Sequence, residues 1–347
     1  MRSQPAERRA MESAEPAQLV KDLLRPEAYP HPVDAVELRE THGAWVFLAG
    51  SYAYKLKKPV NFGFFDYSTR ALRDADAEAE LRLNRRLAPS IYLGIVDIVK
   101  RDGHLSVGGE GRVVERAVQM CRLPEKGMLT ALLEDDRAPR LMRRIARLIA
   151  RFHRRAATGA GVDEYGAPAN IEANWRENFD QVRPYIGATL TATEFQLVER
   201  YVTGFLRDER NLLERRIAEG RIREGHGDLH AGSVCLVGQR IVIFDCIQFS
   251  ARYRCADVAA EVAFLAMDLD HAGRADLSSA FAEEYVRCSR DEELRPLLSF
   301  YKSYRAFVRG KVVSLRLGQD DVTEDERAHL EFLARAYFEL ASGYAKS

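Results

Sequence analysis

Cysteine is sparse in this 347-residue chain: five residues, at positions 121, 235, 246, 255 and 288, with no C-x-x-C pair. An odd, scattered set argues against a disulfide framework or a zinc cluster and fits reduced thiols. Excess charge of either sign is also missing, since Lys+Arg and Asp+Glu both total 52. That balance excludes a global field that would recruit nucleic acid or an anionic membrane surface. No apolar run approaches the roughly 20 residues of a membrane span. The opening MRSQPAERRAMESAEPAQ lacks the apolar core of a secretory signal, so a cytoplasmic location is expected. A G-x-x-x-x-G-K-[ST] phosphate loop is absent, because Gly310-Lys311 is followed by Val312 and has no upstream glycine. No internal repeat is found.

Present instead is an ordinary globular composition, 46% hydrophobic and 30% charged. Its length suits two domains or one large bilobal one. Residues 1–16 are polar and Pro/Ala/Glu-rich and read as disordered. Residues 18–24 suggest a short helix, and Pro26–Pro32 a breaker-rich connection. From Val36 the pattern turns to strands: 36–39, 44–48 and 51–57, separated by Gly43 and Gly50, predict an antiparallel meander. Residues 72–87 predict a helix, with Ala75, Ala79, Leu83 and Leu87 at i+4 spacing. Glu78 stands one turn before Arg82 and can pair with it at the surface. Glu80 falls on the inward stripe of Leu83 and Leu87, where a carboxylate needs a cation. Strands follow at 91–99 and 112–120, with Asp102-Gly103 as the turn between them. Beyond residue 125 helices dominate, at 140–157, 194–219, 257–270, 280–287, 294–317 and 325–344. The arginine-rich face of 140–157 has no interleaved aromatics, so it does not read as a nucleic-acid patch.

The chain is organised around residues 223–249, REGHGDLHAGSVCLVGQRIVIFDCIQF. Val234–Val237 and Ile241–Phe244 flank a Gly238-Gln239 turn and predict a hairpin. Asp228 lies in the Gly-flanked, His-rich loop before it. The period-2 alternation of the second strand puts Asp245 on one face with Ile241, Ile243 and Ile247. A carboxylate on an apolar face requires a cation or hydrogen bonds. Two carboxylates held on a rigid hairpin suit metal–phosphate chemistry.

H-G-D-L-H-x-G-x followed by a hydrophobic strand ending in F-D resembles the catalytic and metal-binding segments of the aminoglycoside phosphotransferase-like kinases, small-molecule relatives of protein kinases. FDCIQF…RYRCADVAAEVAFLAMDLD looks like a bacterial branch of that family, and the resemblance runs from about residue 35 onward. It implies an α+β, protein-kinase-like bilobal fold: a flexible segment 1–32, a nucleotide-binding lobe 33–119, a hinge 120–124 and a helical lobe 125–347. It implies ATP and Mg²⁺ as cofactors and a small hydroxyl-bearing molecule as substrate. By the resemblance Asp228 is the catalytic base and Asp245 a metal ligand. YAYK stands where kinases carry V-A-I-K, so Lys55 would contact the α/β-phosphates with Glu80 as its partner. Without the resemblance, Lys55, Lys57 and Lys58 read as a solvated edge. Backbone groups near Met120 and Arg122 would meet the adenine. Asp257 is given a supporting role as the cap of the following helix.

Two departures stand out. The family carries an asparagine five residues after the catalytic aspartate as second metal ligand; here that position is Ser233. Gln248 stands three residues after Asp245, where an acid is expected. The glycine-rich loop of protein kinases is also missing, since Gly43 stands alone. These differences keep open a nucleotide-binding pseudokinase that acts as a regulatory module. A third reading takes His226, Asp228 and His230 as an H-x-D-x-H metal cluster of a hydrolase.

Overall fold

The computed structural model describes residues 15–63, 65–319 and 322–346. The disorder expected for residues 1–14 lies outside the described residues. Helix α1 (Pro16–Leu23) is not part of a flexible lead: Leu19 and Leu23, one turn apart, are buried in the core of the adjoining sheet. Asp22 on its other edge accepts the Leu105 amide at 2.9 Å, and the Tyr29 hydroxyl donates to the Leu23 carbonyl. An apolar stripe with hydrogen-bonded ends fixes the segment to the sheet.

That sheet has six antiparallel strands. They are β1 (Val36–Glu40), β2 (Ala44–Ala49), β3 (Tyr52–Lys57), β4 (Tyr92–Arg101), β5 (His104–Val107) and β6 (Arg112–Cys121), in the order β1-β2-β3-β6-β4-β5. Asp102-Gly103 does turn the chain, with φ of +51° and +85°, but into the short β5 rather than into the next long strand. Trp45, Phe47, Tyr54, Leu56 and Val114 pack with α1 in one core. Helix α2 (Arg70–Asn84) follows β3, capped by Thr69, whose hydroxyl accepts the Leu72 amide. Glu78 meets Arg116 on β6 at 3.4 Å, not Arg82.

The remaining elements are mostly helical: α3 (Ala138–Arg155), α4 (Pro168–Val182), α5 (Ala192–Asp208) and α6 (Arg210–Ala218). The single helix expected over 194–219 is broken at Glu209. Then come β7 (Ile222–Glu224), the hairpin β8 (Val234–Val237) and β9 (Arg240–Ile243), α7 (Ala251–Arg254), β10 (Cys255–Asp257), which pairs with β7, and α8 (Val258–His271). Helices α9 (Ala275–Ser289), α10 (Leu294–Leu317) and α11 (Glu324–Tyr344) complete the described chain. Trp175 of α4 centres the helical core among Phe179, Phe300, Tyr304 and Phe307. Fully buried Arg216 of α6 is held by both Asp257 and Asp291, and Asp257 also caps α8 by accepting the Ala259 amide at 2.8 Å. No helix among the described residues is long and apolar enough to cross a membrane.

The chain divides into two compact units. One takes the residues up to Pro124 together with Val242–Ser250; the other takes Glu125–Ile241 and everything from Ala251 onward. Asp245 therefore groups with the sheet, not with the helical unit in which the sequence reading sets it. The reason is local: the Cys246 amide donates to Asn84 of α2 at 2.8 Å, and Phe249 packs on Phe65.

Candidate functional site

In the first unit, alternate residues of β3 share a face, so Lys55 and Lys57 both point toward α2. One turn apart on that helix stand Asp76 and Glu80. Lys55 Nζ lies 2.8 Å from Glu80 Oε1, and Lys57 Nζ lies 2.6 Å from Glu80 Oε2 and 2.8 Å from Asp76. Glu80 is fully buried and each of its oxygens meets one ammonium at ion-pair distance. Lys57 is buried too, so it is not the exposed edge that the KLKK run suggests. Burial alone would raise the Glu80 pKa, but Lys55 and Lys57 hold it below its ordinary value.

Asp245 is the third carboxylate of this cluster, with Oδ1 2.6 Å from Lys55 Nζ. Burial would depress the Lys55 ammonium, yet Asp245 and Glu80 hold its pKa well above the usual range. The pair predicted by the inward stripe of the helix is present, and Asp245 shares it. The strand alternation expected to orient Asp245 is not: β9 ends at Ile243, and Asp245 has a left-handed φ of +64°. A non-glycine residue there costs about 1–3 kcal/mol, a strain concentrated at functional positions. Two groups fix it: the Asp245 amide donates to the Tyr92 hydroxyl at 3.2 Å, and Asn84 holds the next amide. Gln248 donates to Asp76 at 3.0 Å. An acid at that position would face Asp76, so glutamine satisfies the local charge instead of lacking one.

Met120 and Arg122, expected to offer backbone groups to adenine, stand at the end of β6. Met120 is inside β6, flanked by Ala53 on β3 and Tyr92 on β4. The Arg122 amide donates to the Ser51 carbonyl at 2.9 Å, and its side chain pairs with Glu37 at 3.0 Å.

In the second unit, Asp228 sits in the turn Gly225–Ser233. His230 Nε2 lies 3.6 Å from Asp228 Oδ2. Burial would raise the Asp228 pKa, but His230, with His226 and Arg309, holds it below the usual carboxylate value. His230 is itself raised, because the attraction of Asp228 outweighs burial. The histidine rings serve the loop: His226 Nδ1 accepts the Asp228 amide at 3.3 Å and His230 Nδ1 accepts the Gly232 amide at 3.1 Å. They do not converge on a metal. Ser233 is 2% exposed; its hydroxyl donates to the His230 carbonyl (2.8 Å) and accepts the His230 amide (3.1 Å). These two bonds give Ser233, the position expected to be a metal ligand, a part in holding the loop.

Glu261 of α8 is the main residue that sequence reasoning missed. Buried at 4% exposure, its Oε2 accepts the amides of His226 (2.6 Å) and Gly227 (3.1 Å), while Oε1 meets His153 Nε2 at 3.0 Å. A Cβ at Gly225 would collide with this carboxylate, which explains that glycine. Arg305 of α10 adds a hydrogen bond to the Gly227 carbonyl at 3.2 Å. Burial works against the charged form of Glu261, but His153, His226 and the loop amides pull its pKa down to about 2. A depressed carboxylate stabilises the fold above its unfolded pKa, and that gain is lost as pH falls toward the folded value. Glu261 is therefore expected to contribute roughly 3 kcal/mol at pH 6 that fades between pH 4.5 and 2. Urea unfolding of wild type and Glu261→Gln should show a gap at pH 6 that narrows below pH 4.5 and closes only toward pH 2. A gap independent of pH would contradict the assignment.

Among the described residues no group of three or more His, Cys, Asp or Glu could hold a metal ion on its own. Magnesium needs no such cage, since it takes one or two carboxylates and completes its shell with phosphate and water oxygens. Asp245, with its side chain 56% exposed, is a donor of that sparse kind.

The sequence model of the "Phosphotransferase enzyme family" matches residues 65–297. Uncharacterised proteins of Mycobacterium tuberculosis and Mycobacterium bovis are 36% identical over 309 residues, 86% of this chain. The chain spans 60% of the length of those relatives. A choline/ethanolamine kinase family protein from Mesorhizobium loti shares 15% identity, with 94% of this chain and 97% of that one covered at a TM-score of 0.52. Aminoglycoside 2'-phosphotransferase-IIIa, solved as a GDP complex, shares 14% identity, with 93% and 98% covered at a TM-score of 0.53. At such identities the two structures show the fold alone, an α+β, protein-kinase-like one. On the family match, this chain belongs to the phosphotransferase enzyme family.

Proposed function

We propose that the chain transfers the γ-phosphate of ATP, with Mg²⁺, to a hydroxyl of a small molecule. The observation that carries this reading is Lys55 tied at once to Glu80 of α2 and to the strained Asp245. Phosphoryl transfer asks a protein for positioning and for fixed charge against the phosphates, and little covalent work. In this reading Lys55, oriented by Glu80, binds the α/β-phosphates, and Asp245 is the residue that would hold the metal. Mg²⁺, when bound, neutralises phosphate charge. Lys57, itself paired with Asp76, keeps Glu80 ionised and in place. Asp228, its pKa held low, is ionised at neutral pH and so able to accept a hydrogen bond from the attacking hydroxyl. Glu261, Arg305 and Ser233 position its loop. Residues 33–119 form the nucleotide-binding part, 120–124 the hinge and the helical remainder the acceptor-binding part. GDP in the structure of the aminoglycoside enzyme supports nucleotide use by this fold. The named neighbours act on different acceptors, so the family does not choose one here.

Transfer from γ-labelled ATP to pools of sugars, amino alcohols and hydroxy acids tests the proposal. Label should appear in at least one pool and vanish with Asp228→Asn. Label transfer that survives Asp228→Asn would contradict the role of Asp228, and nucleotide binding without any transfer would favour a regulatory module.

A further inference from the structure

Helix α10 presents two arginines, one turn apart, on the face behind the Asp228 loop. Arg305 is fully used: it donates to the carbonyls of Gly227 (3.2 Å) and Ala260 (3.3 Å), and its guanidinium lies over the Phe264 ring at 4.7 Å. Arg309 is not. Residues four apart share a helix face, so Arg309 continues the same row, and its guanidinium rests 5.5 Å from the ring centre of Tyr337 on α11. Among the described residues no carboxylate pairs with it at ion-pair distance; its guanidinium hydrogen-bonds to Tyr337, but its buried Nε has no hydrogen-bond partner. The neighbouring acids are the Asp228 carboxylate, whose charge Arg309 helps sustain, and Asp268, one oxygen of which already accepts the Ala231 amide at 2.8 Å.

A buried guanidinium N–H without an acceptor is costly unless something supplies one. Its planar fork matches carboxylate and phosphate oxygens two at a time, and the contact with Tyr337 holds the guanidinium in place in advance. A cationic acceptor would be repelled from it. We propose that Arg309 is an oxyanion-binding residue of this site, taking a phosphate or carboxylate group presented at the Asp228 loop. This rests on the phosphotransferase reading above. Two sources share that chemistry: the phosphoryl group in transfer, or an anionic group on the acceptor itself.

Calorimetric titration separates them, using wild type, Arg309→Gln and Arg309→Lys, with circular dichroism to verify folding. The probes are inorganic phosphate, glycerol 3-phosphate and glycerate, each added to protein with and without saturating Mg-ADP, and Mg-ATP against Mg-ADP. Inorganic phosphate should bind wild type at millimolar concentration and at least tenfold more weakly in Arg309→Gln, with Arg309→Lys between them. If the acceptor carries the anion, Arg309→Gln also loses glycerol 3-phosphate or glycerate and leaves both nucleotides unchanged. If the phosphoryl group is the ligand, Arg309→Gln weakens Mg-ATP but not Mg-ADP. Equal anion affinities in wild type and Arg309→Gln, or no anion binding to wild type, would overturn the proposal. Failure of either nucleotide to bind wild type contradicts the phosphotransferase reading instead, and the nucleotide-free anion titration still decides for Arg309.

Discussion

Replacing Glu80 by alanine is expected to lower the unfolding free energy by about 3 kcal/mol, the low end of what breaking a buried ion pair costs. Glu80 is the shared counter-ion of two ammonium groups, Lys55 and Lys57, whose side chains are only 13% and 4% exposed. Without it, Lys57 keeps Asp76 and Lys55 keeps Asp245, so the loss is partly offset and stays below the top of that range. Removing a charge while leaving its partners buried strands them in low dielectric, where the desolvation cost already incurred is no longer repaid. A triple substitution that removes the buried charges together, Glu80→Leu with Lys57→Met and Asp76→Leu, should therefore be less destabilising than the Glu80→Ala and Lys57→Met losses taken separately. Urea unfolding measures all three. A loss under 1 kcal/mol for Glu80→Ala would show that the cluster is not a coupled unit.

Asp228→Asn is expected to reduce the rate of transfer by 10²–10⁴-fold, the range for loss of a positioned proton acceptor. The carboxamide matches the carboxylate in size, so the turn should keep its shape. The loop is anchored elsewhere, by Glu261 on the His226 and Gly227 amides and by Arg305 on the Gly227 carbonyl. The melting temperature should stay within a few degrees, and nucleotide affinity should not fall, because the Lys55 cluster is untouched. Loss of folding together with activity would mean that Asp228 is a structural residue. Retained activity would remove it from the chemistry.

The parts of this arrangement that were legible in the sequence are those that obey a period. The two-residue repeat of β3 set Lys55 and Lys57 on one face, and the i+4 stripe of α2 turned Glu80 inward toward them. The hairpin of β8 and β9 followed from its apolar runs and its turn. Helix α4 carries an equally regular signal in Ile171, Trp175, Phe179 and Val182. What no period encodes went unread. The orientation of Asp245 depends on a left-handed backbone fixed by Tyr92 and Asn84, far away in the chain. Glu261 supports a loop more than thirty residues before it, and only the collision it would have with a side chain at Gly225 links the two. The metal role for Ser233 was inferred from its position in a motif, and its hydroxyl is closed on His230.

The most direct test of the account is ATP binding followed by thermal shift across a Mg²⁺ titration, for wild type and Asp245→Ala. A ligand that binds only the native state raises the melting temperature by an amount set by its concentration over Kd. The account predicts a Mg²⁺-dependent shift in wild type that is abolished in Asp245→Ala, while metal-free ATP affects the two proteins alike. No shift in wild type at millimolar Mg-ATP, or an equal shift in both proteins, would contradict it.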